Sequence, residues 1–413
     1  MSKSERYIVG LDIGTTKIAC VVAELKESGS VDVVGVGESP SRGLRKGVVV
    51  NLEATVDAVK SAVEQAELMA GVHVESATVG IAGGHIRSFN SRGVVAVCGK
   101  DRTVSEDDLR RVLDAARAVS IPEDREIVHV LAQEFVLDDQ GGISSPVGMT
   151  GARLEANVHI VTASTTSVQN LVTCVNRAGV EVRDTVLEQL AVAESALSRD
   201  EKELGVALID MGGGTTDLAI FERGSIWHTA VLPVGGDHFT NDLAVGLRAP
   251  IPDAEKLKRK YGCALSSLVG ENEAVEVPTV GGRKPRLLSR QVMAEILQPR
   301  AEEIFSLIQE EITRAGFSKL LNAGVVLMGG GSLMPGMSEV AEQMFELPVR
   351  MGQAGGAGGL SEPVSGPQHA TAIGLALYGA RNQRPRRWTN VASNAGMFVK
   401  MGGRVRAWFS EMF

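Results

Sequence analysis

The chain has 413 residues, 44% of them hydrophobic and 4% aromatic, with a formal net charge of −8. That length holds about two to four domains with a large core, and the acidic balance excludes a general nucleic-acid footprint, so no nucleic-acid partner is expected. Cys20, Cys98, Cys174 and Cys263 lie far apart with no CxxC or His pairing, and read as small buried hydrophobes of a reducing compartment.

The N-terminus, Met1 to Arg6, is polar and charged, unlike a secretory signal. Tyr7 to Leu11 is a short apolar run that predicts a buried strand, and Lys17 to Glu24 predicts its return. Between them lies Asp12-Ile13-Gly14-Thr15-Thr16. A third strand (Val31 to Val36), a helix from Leu52 to Ala70 and a strand from Ala77 to Ala82 follow. Residues 86 to 163 read as a compact α+β insertion: a strand at Gly93 to Val97, a charged helix opened by Ser105, and strands near Ile127 to Val130 and Ala156 to Thr162.

Val206 to Ile209 then repeats the opening theme. The segment Asp210-Met211-Gly212-Gly213-Gly214-Thr215-Thr216 leads into a return strand, Asp217 to Phe221. Glycines let such turns expose N–H groups to phosphate oxygens, because no Cβ blocks the approach. The threonines add hydroxyls, and Lys17 supplies a cation. Asp12 and Asp210 end their strands at the turns, where both can reach a Mg²⁺ held between the loops. Mg²⁺ suits one or two carboxylates plus substrate phosphates. Gly235-Gly236-Asp237 precedes a helix, Thr240 to Leu247, and offers further backbone contacts to phosphate. A long helical pattern runs from Ser289 to Arg314. The strand Ala323 to Met328 runs into Gly329-Gly330-Gly331-Ser332, a turn on which a flat adenine ring can lie.

The C-terminus changes character. Residues 352 to 366 are Gly-rich and loop-like, and Arg381 to Arg387 is a basic segment broken by proline, which reads as a linker. In Met397 to Phe413 the residues Met397, Phe398, Met401, Val405, Trp408, Phe409, Met412 and Phe413 share one helical arc of about 160°. Lys400 and Arg404 lie opposite. Gly402-Gly403 lowers helix stability in water by roughly 1 kcal/mol per glycine. The pattern predicts a helix that folds on an anionic lipid surface.

Two Asp-Gly-Thr hairpins followed by a Gly-Gly-Gly-Ser strand end resemble the nucleotide site of the actin, heat-shock chaperone and sugar-kinase superfamily. Leu187 to Ala191 and Ala370 to Ala376 resemble its two connecting helices, and Ala254 to Lys258 its adenosine-contacting helix. Within that superfamily the whole chain resembles the FtsA family of bacterial cell-division proteins, through stretches such as Ser39 to Gly43, Gln133-Glu134-Phe135, Asn157 to Ile160 and Val277 to Arg283. The family often has a proline after the Glu of the first connecting helix, and here that position is Gln189.

The resemblance implies an α/β, actin-like two-lobed fold of duplicated ribonuclease-H-like cores, with ATP and Mg²⁺ as cofactors. It assigns residues 1–85 and 164–204 to the first lobe, with a second connecting helix (368–383) returning to it. Residues 205–239 and 319–367 form the second lobe. Residues 86–163 would be an insertion, subdomain 1C, for self-association and for later division proteins. Residues 240–318 would be subdomain 2B, which in the family holds the C-terminal tail of the tubulin-like GTPase FtsZ. Residues 384–396 would be the linker and 397–413 the membrane helix.

The expected site residues follow from the same match. Asp12, Asp210 and Glu188 would serve catalysis, the two aspartates through Mg²⁺. Glu255 and Lys258 would touch adenine and ribose. Arg283, Arg286, Arg290 and Arg300 would meet the acidic FtsZ tail. The implied protein polymerises, with at most slow ATP hydrolysis, and tethers the FtsZ ring to the cytoplasmic face of the inner membrane at the septum. A pilus-assembly adaptor of the same fold, or a small-molecule kinase, remains the alternative.

Overall fold

The computed structural model describes residues 6–99, 101–270, 272–281, 284–360 and 364–383. The linker, the tail helix and Arg283 lie outside the described residues.

Two sheets repeat one plan. In the first, Tyr7–Ile13 pairs antiparallel with Lys17–Leu25 and parallel with Ser76–Ile81. Val31–Pro40 extends the sheet on one side and Glu181–Leu187 on the other. In the second, Val206–Met211 pairs antiparallel with Thr216–Glu222 and parallel with Val325–Met328. Ser225–Leu232 and Val349–Met351 flank it. Both sheets are therefore a hairpin, a third antiparallel strand, and parallel strands added beside the opening strand. This is the duplicated core of an actin-like α/β fold.

The apolar strands bury both faces, as sheets covered by helices do. Leu11, Ile18, Cys20, Val21 and Val22 have no more than trace exposure, as do Leu208 and Ile209. Helix Leu52–Ala70 covers the first sheet; Asn51 caps it through the Ala54 N–H, and left-handed Gly71 ends it. The strand expected to stop at Val36 runs on to Pro40. Gly37 there presses so close to helix Leu52–Ala70 that a Cβ would lie 1.9 Å from the Ala62 carbonyl. That contact hides the strand's alternation from the sequence. The Gly-rich stretch expected as loop contributes Gly358–Gly359, pairing parallel with Asp32 and Val33. Backbone pairing alone makes that edge, with no side-chain pattern to announce it.

Two helices cross between the lobes: Glu188–Ala196 and Ala370–Gln383. A Cβ on Gly374 would lie 1.8 Å from the Ala191 carbonyl. One on Gly10 would lie 2.2 Å from the Ala372 carbonyl. The two helices and the opening strand thus meet backbone to backbone.

Residues 87–164 carry a four-stranded sheet in the order Arg87–Ala96, Arg153–Ser164, Arg125–Leu137, Gln140–Ile143. Helix Glu106–Arg117 packs on it, opened by a capping box between Ser105 and Asp108. The strands are longer than the sequence suggests, because their polar residues alternate outward and dilute the apolar signal. This sheet docks on Ser225–Leu232 through buried polar groups. Gln133 Nε2 donates to the carbonyls of Ile226 and Trp227 at 3.3 and 3.1 Å. Ser88 Oγ donates to the Thr229 carbonyl at 2.9 Å. His159 lies 2.7 Å from Asn90 Oδ1 through Nδ1 and 2.9 Å from Thr229 Oγ1 through Nε2. Burial holds the His159 imidazole down at about 3, so it serves as a neutral ring with one donor and one acceptor.

Helices Gly236–Leu247, Ile251–Tyr261 and Arg290–Arg314, with the small hairpin Ala274–Val277/Arg286–Ser289, form a second apolar cluster that continues into the second sheet. All four cysteines are free; Cys20, Cys174 and Cys263 are buried as expected, whereas Cys98 is exposed.

The crossing of the connecting helices yields a stability prediction. Gly374→Ala forces a methyl into the Ala191 backbone and should destabilise by about 1–3 kcal/mol, lowering the thermal midpoint of the purified chain. Gly84→Ala, where a Cβ meets nothing within 4 Å, is the control and should leave the midpoint in place.

Candidate functional site

The two hairpin turns face each other across a cleft of about 540 Å³. They touch: a Cβ on Gly213 would lie 1.8 Å from Thr16 Oγ1, and one on Gly214 would lie 2.9 Å from Thr15 Oγ1. Each turn is closed by one backbone bond, Gly14 N–H to the Lys17 carbonyl at 3.0 Å and Gly212 N–H to the Thr215 carbonyl at 2.9 Å. The third turn closes the site from the second lobe. Left-handed Gly329 sits so close that a Cβ would lie 2.3 Å from Asp210 Oδ1.

Most of the residues singled out in the sequence line this cleft. Asp12, Gly14, Thr15, Thr16 and Lys17 come from the first hairpin. Asp210, Gly212, Gly213 and Thr215 come from the second. Glu188, Gly236, Asp237, Glu255, Lys258, Gly329, Gly330 and Gly331 complete the walls. Lys258 Nζ donates to the Gly236 carbonyl and to Thr240 Oγ1, both at 2.9 Å, and pairs with Glu255 at 2.7 Å.

Four expected contributors do not line it. Thr216 Oγ1 donates to the Val234 carbonyl at 2.8 Å, and Ser332 Oγ to the Gly329 carbonyl at 2.7 Å. Gly214 packs on Thr15, and Gly235 nests among the carbonyls of Gly212, Gly213 and Thr215. The Gly235-Gly236-Asp237 turn also differs in role from the expected one. Its three N–H groups are taken by His238 Nδ1 at 3.1 Å, the Gly212 carbonyl at 2.9 Å and the Gly213 carbonyl at 2.8 Å. They hold the second hairpin in shape.

The electrostatics are dominated by crowded, buried carboxyl groups. Burial pushes Asp12 up to about 6, against the pull of Lys17 and His369. Burial, then Asp217 and Asp12, pushes Asp210 up to about 8. Burial pushes Asp217 up to about 7. Glu188 is raised well above the usual carboxylate range by burial, with Asp12, Asp217 and Asp210 adding to it. Such crowding favours a bound cation. Among the described residues, no three His, Cys, Asp or Glu side chains gather to hold a metal alone. The donor set fits an ion that takes phosphate oxygens and water for the rest of its shell.

Asp217 is the residue that sequence reasoning left out of the site. It faces Asp210 across the hairpin and accepts from Gln189 Nε2 at 2.9 Å and Thr215 Oγ1 at 3.1 Å. The signal was present: Thr-Thr-Asp of the second copy aligns with Thr-Thr-Lys of the first, so Asp217 stands where Lys17 stands. Gln189, which departs from the common family pattern, ties the first connecting helix to the second hairpin. Its Oε1 is buried without a partner. Glu38 and His369, also in the cleft wall, carried no sequence signal.

The arginines expected to meet an acidic peptide lie apart from this cleft. Arg300 forms a two-pronged pair with Asp242, at 2.7 and 3.0 Å. Arg290 holds Glu273 at 2.6 Å and the Tyr261 carbonyl at 2.8 Å. Their donors already serve the fold. Arg286 is exposed and bonds the Leu247 carbonyl, near exposed Leu287 and Val280.

Comparison with known proteins places this architecture. Residues 207–374 match the family described as cell division protein FtsA, and residues 83–162 match the SHS2 domain inserted in FTSA. The FtsA protein of Pseudomonas aeruginosa is 52% identical over 381 residues, 92% of this chain and 91% of the relative. Among solved structures, the PilM–PilN type IV pilus biogenesis complex aligns with a TM-score of 0.67 at 15% identity, over 90% of this chain and 98% of that one. MreB5 of Spiroplasma citri bound to ADP aligns at 0.54 and 16% identity, over 92% and 98%. These two likenesses speak for the fold; the sequence relative, alike across nearly the whole length, speaks for the lineage. The chain belongs to the FtsA family of actin-like cell-division proteins.

Proposed function

We propose that the cleft binds ATP with Mg²⁺ and that the protein links the FtsZ ring to the membrane. The observation that carries the nucleotide reading is the pair of opposed hairpins, with Lys17 and crowded carboxyl groups at one cleft. A cleft of about 540 Å³ is in the range of small-molecule sites. Asp12 and Asp210 would hold the ion through water, Thr15 and Thr215 would offer hydroxyls, and Lys17 would meet a phosphate. Glu255 and Lys258 would meet the nucleoside, with Gly329 to Gly331 beneath the base. When bound, Mg²⁺ supplies the positive charge that the carboxylates lack. The ADP bound to MreB5 of Spiroplasma citri, which is alike in fold, supports this assignment by analogy.

The adaptor part of the reading rests on family membership and on the tail pattern. The residue pattern of 397–413 would present an amphipathic face to the inner leaflet, and a filament would multiply it by avidity. Among the described residues no helix is long and apolar enough to cross a membrane. The FtsZ tail would dock beside Arg286, Val280 and Leu287, and residues 86–163 would meet later division proteins and neighbouring copies. The protein would thus act at the septum, peripheral to the cytoplasmic face of the inner membrane.

Two measurements test these parts separately. Asp210→Ala should weaken Mg·ATP binding by roughly 10- to 100-fold in calorimetric titration; unchanged affinity would sink the site assignment. In co-sedimentation with anionic liposomes and FtsZ, the full chain should pellet FtsZ, and a chain ending at Asn390 should not. Equal recovery in both supernatants, with ATP present, would end the tether reading.

A further inference from the structure

Strand Val31–Pro40 carries an acidic side chain with no place in the phosphate machinery above. Glu38 faces Ala19 in the sheet and lines the cleft. Lys17 Nζ donates to Glu38 Oε1 at 2.7 Å and to the Gln368 carbonyl at 3.1 Å. It also lies 3.2 Å from His369 Nδ1. An ammonium has three donors, and these three partners match them when His369 Nδ1 carries a lone pair. A phosphate oxygen can gain Lys17 only by displacing one.

The three acceptors are not equal. Gln368 offers a backbone carbonyl, and the His369 side chain is only 10% exposed. The Glu38 side chain is 40% exposed and can move into solvent. Its carboxylate stays ionised, drawn down to about 2 chiefly by His369 and also by Lys17, against burial. A second contact shows where it can go: Glu38 Oε1 lies 2.9 Å from His369 Nδ1. That nitrogen serves one neighbour at a time. With a lone pair it accepts from Lys17; with a proton it donates to Glu38.

We propose that Glu38 is a displaceable counter-ion for Lys17, and that His369 receives Glu38 when a nucleotide phosphate takes its place. Glu38 and His369 are positioning residues, acting on the phosphate through Lys17. The inference rests on the nucleotide reading above. Glu38 holds Lys17 inside the cleft while no phosphate is there, and competes with the phosphate that arrives. The resulting exchange favours the more highly charged ligand.

The test is calorimetric binding of Mg·ATP to the full chain at low ionic strength. Glu38→Gln keeps the shape and removes the charge, and should tighten binding roughly three- to tenfold. Glu38→Ser should move affinity in the same direction, which guards against a packing artefact of one variant. His369→Phe should weaken binding by a similar factor in the wild-type background, and by less than about twofold in Glu38→Gln, where no carboxylate needs receiving. Unchanged or weaker binding in both Glu38 variants overturns the proposal. So does a His369→Phe effect of equal size in the two backgrounds. A wild-type chain that binds no Mg·ATP removes the nucleotide reading and this proposal with it.

Discussion

The two connecting helices and the opening strand meet where backbone touches backbone. Gly374 against Ala191, and Gly10 against Ala372, leave no room for a side chain. Protein interiors are close-packed and respond to a single added methylene. This crossing therefore fixes how the connecting helices lie on the first sheet. Asp12 stands at the end of that opening strand, and Gln189 of the first connecting helix reaches Asp217 of the second hairpin at 2.9 Å, so the crossing ties the first sheet to the second hairpin.

A constraint of the opposite sign sits at the mouth of that crossing. The fold brings Asp12, Asp210, Asp217 and Glu188 into one enclosed space, and their carboxyl groups are raised by burial and by one another. Ionising such a cluster is unfavourable unless positive charge arrives. Lys17 opposes part of it beside Asp12, and its own charge is shared with Glu38. Tight helix packing thus lies beside a cleft whose carboxyl groups resist ionisation.

Much of this was legible in the residues. The duplicated hairpins declare themselves because both strands of each are apolar and both turns carry Asp, Gly and Thr. Helix Leu52–Ala70 has its cap and its left-handed stop in the sequence. What escaped depends on long-range contact. Glu38 is one acidic residue in a strand, and nothing local says that Lys17 and His369 will meet it. Thr216 and Ser332 look like free hydroxyl donors until the fold supplies carbonyl partners. The Gly235–Asp237 amides look open until the second hairpin folds onto them. Arg290 and Arg300 read as a basic face, yet Glu273 and Asp242 lie far enough along the chain that only the tertiary fold pairs them.

The docking of the four-stranded sheet on Ser225–Leu232 has a further consequence. That strand is the outer edge of the second lobe's sheet, and a bare edge is a template on which another chain can add a strand. Here Gln133 and Ser88 occupy the carbonyls of Ile226, Trp227 and Thr229. Side chains, which cannot propagate a ladder, terminate the sheet. A change that swings this inserted sheet away uncovers growth-competent backbone, so its characteristic failure is aggregation along a strand edge and not merely a looser domain.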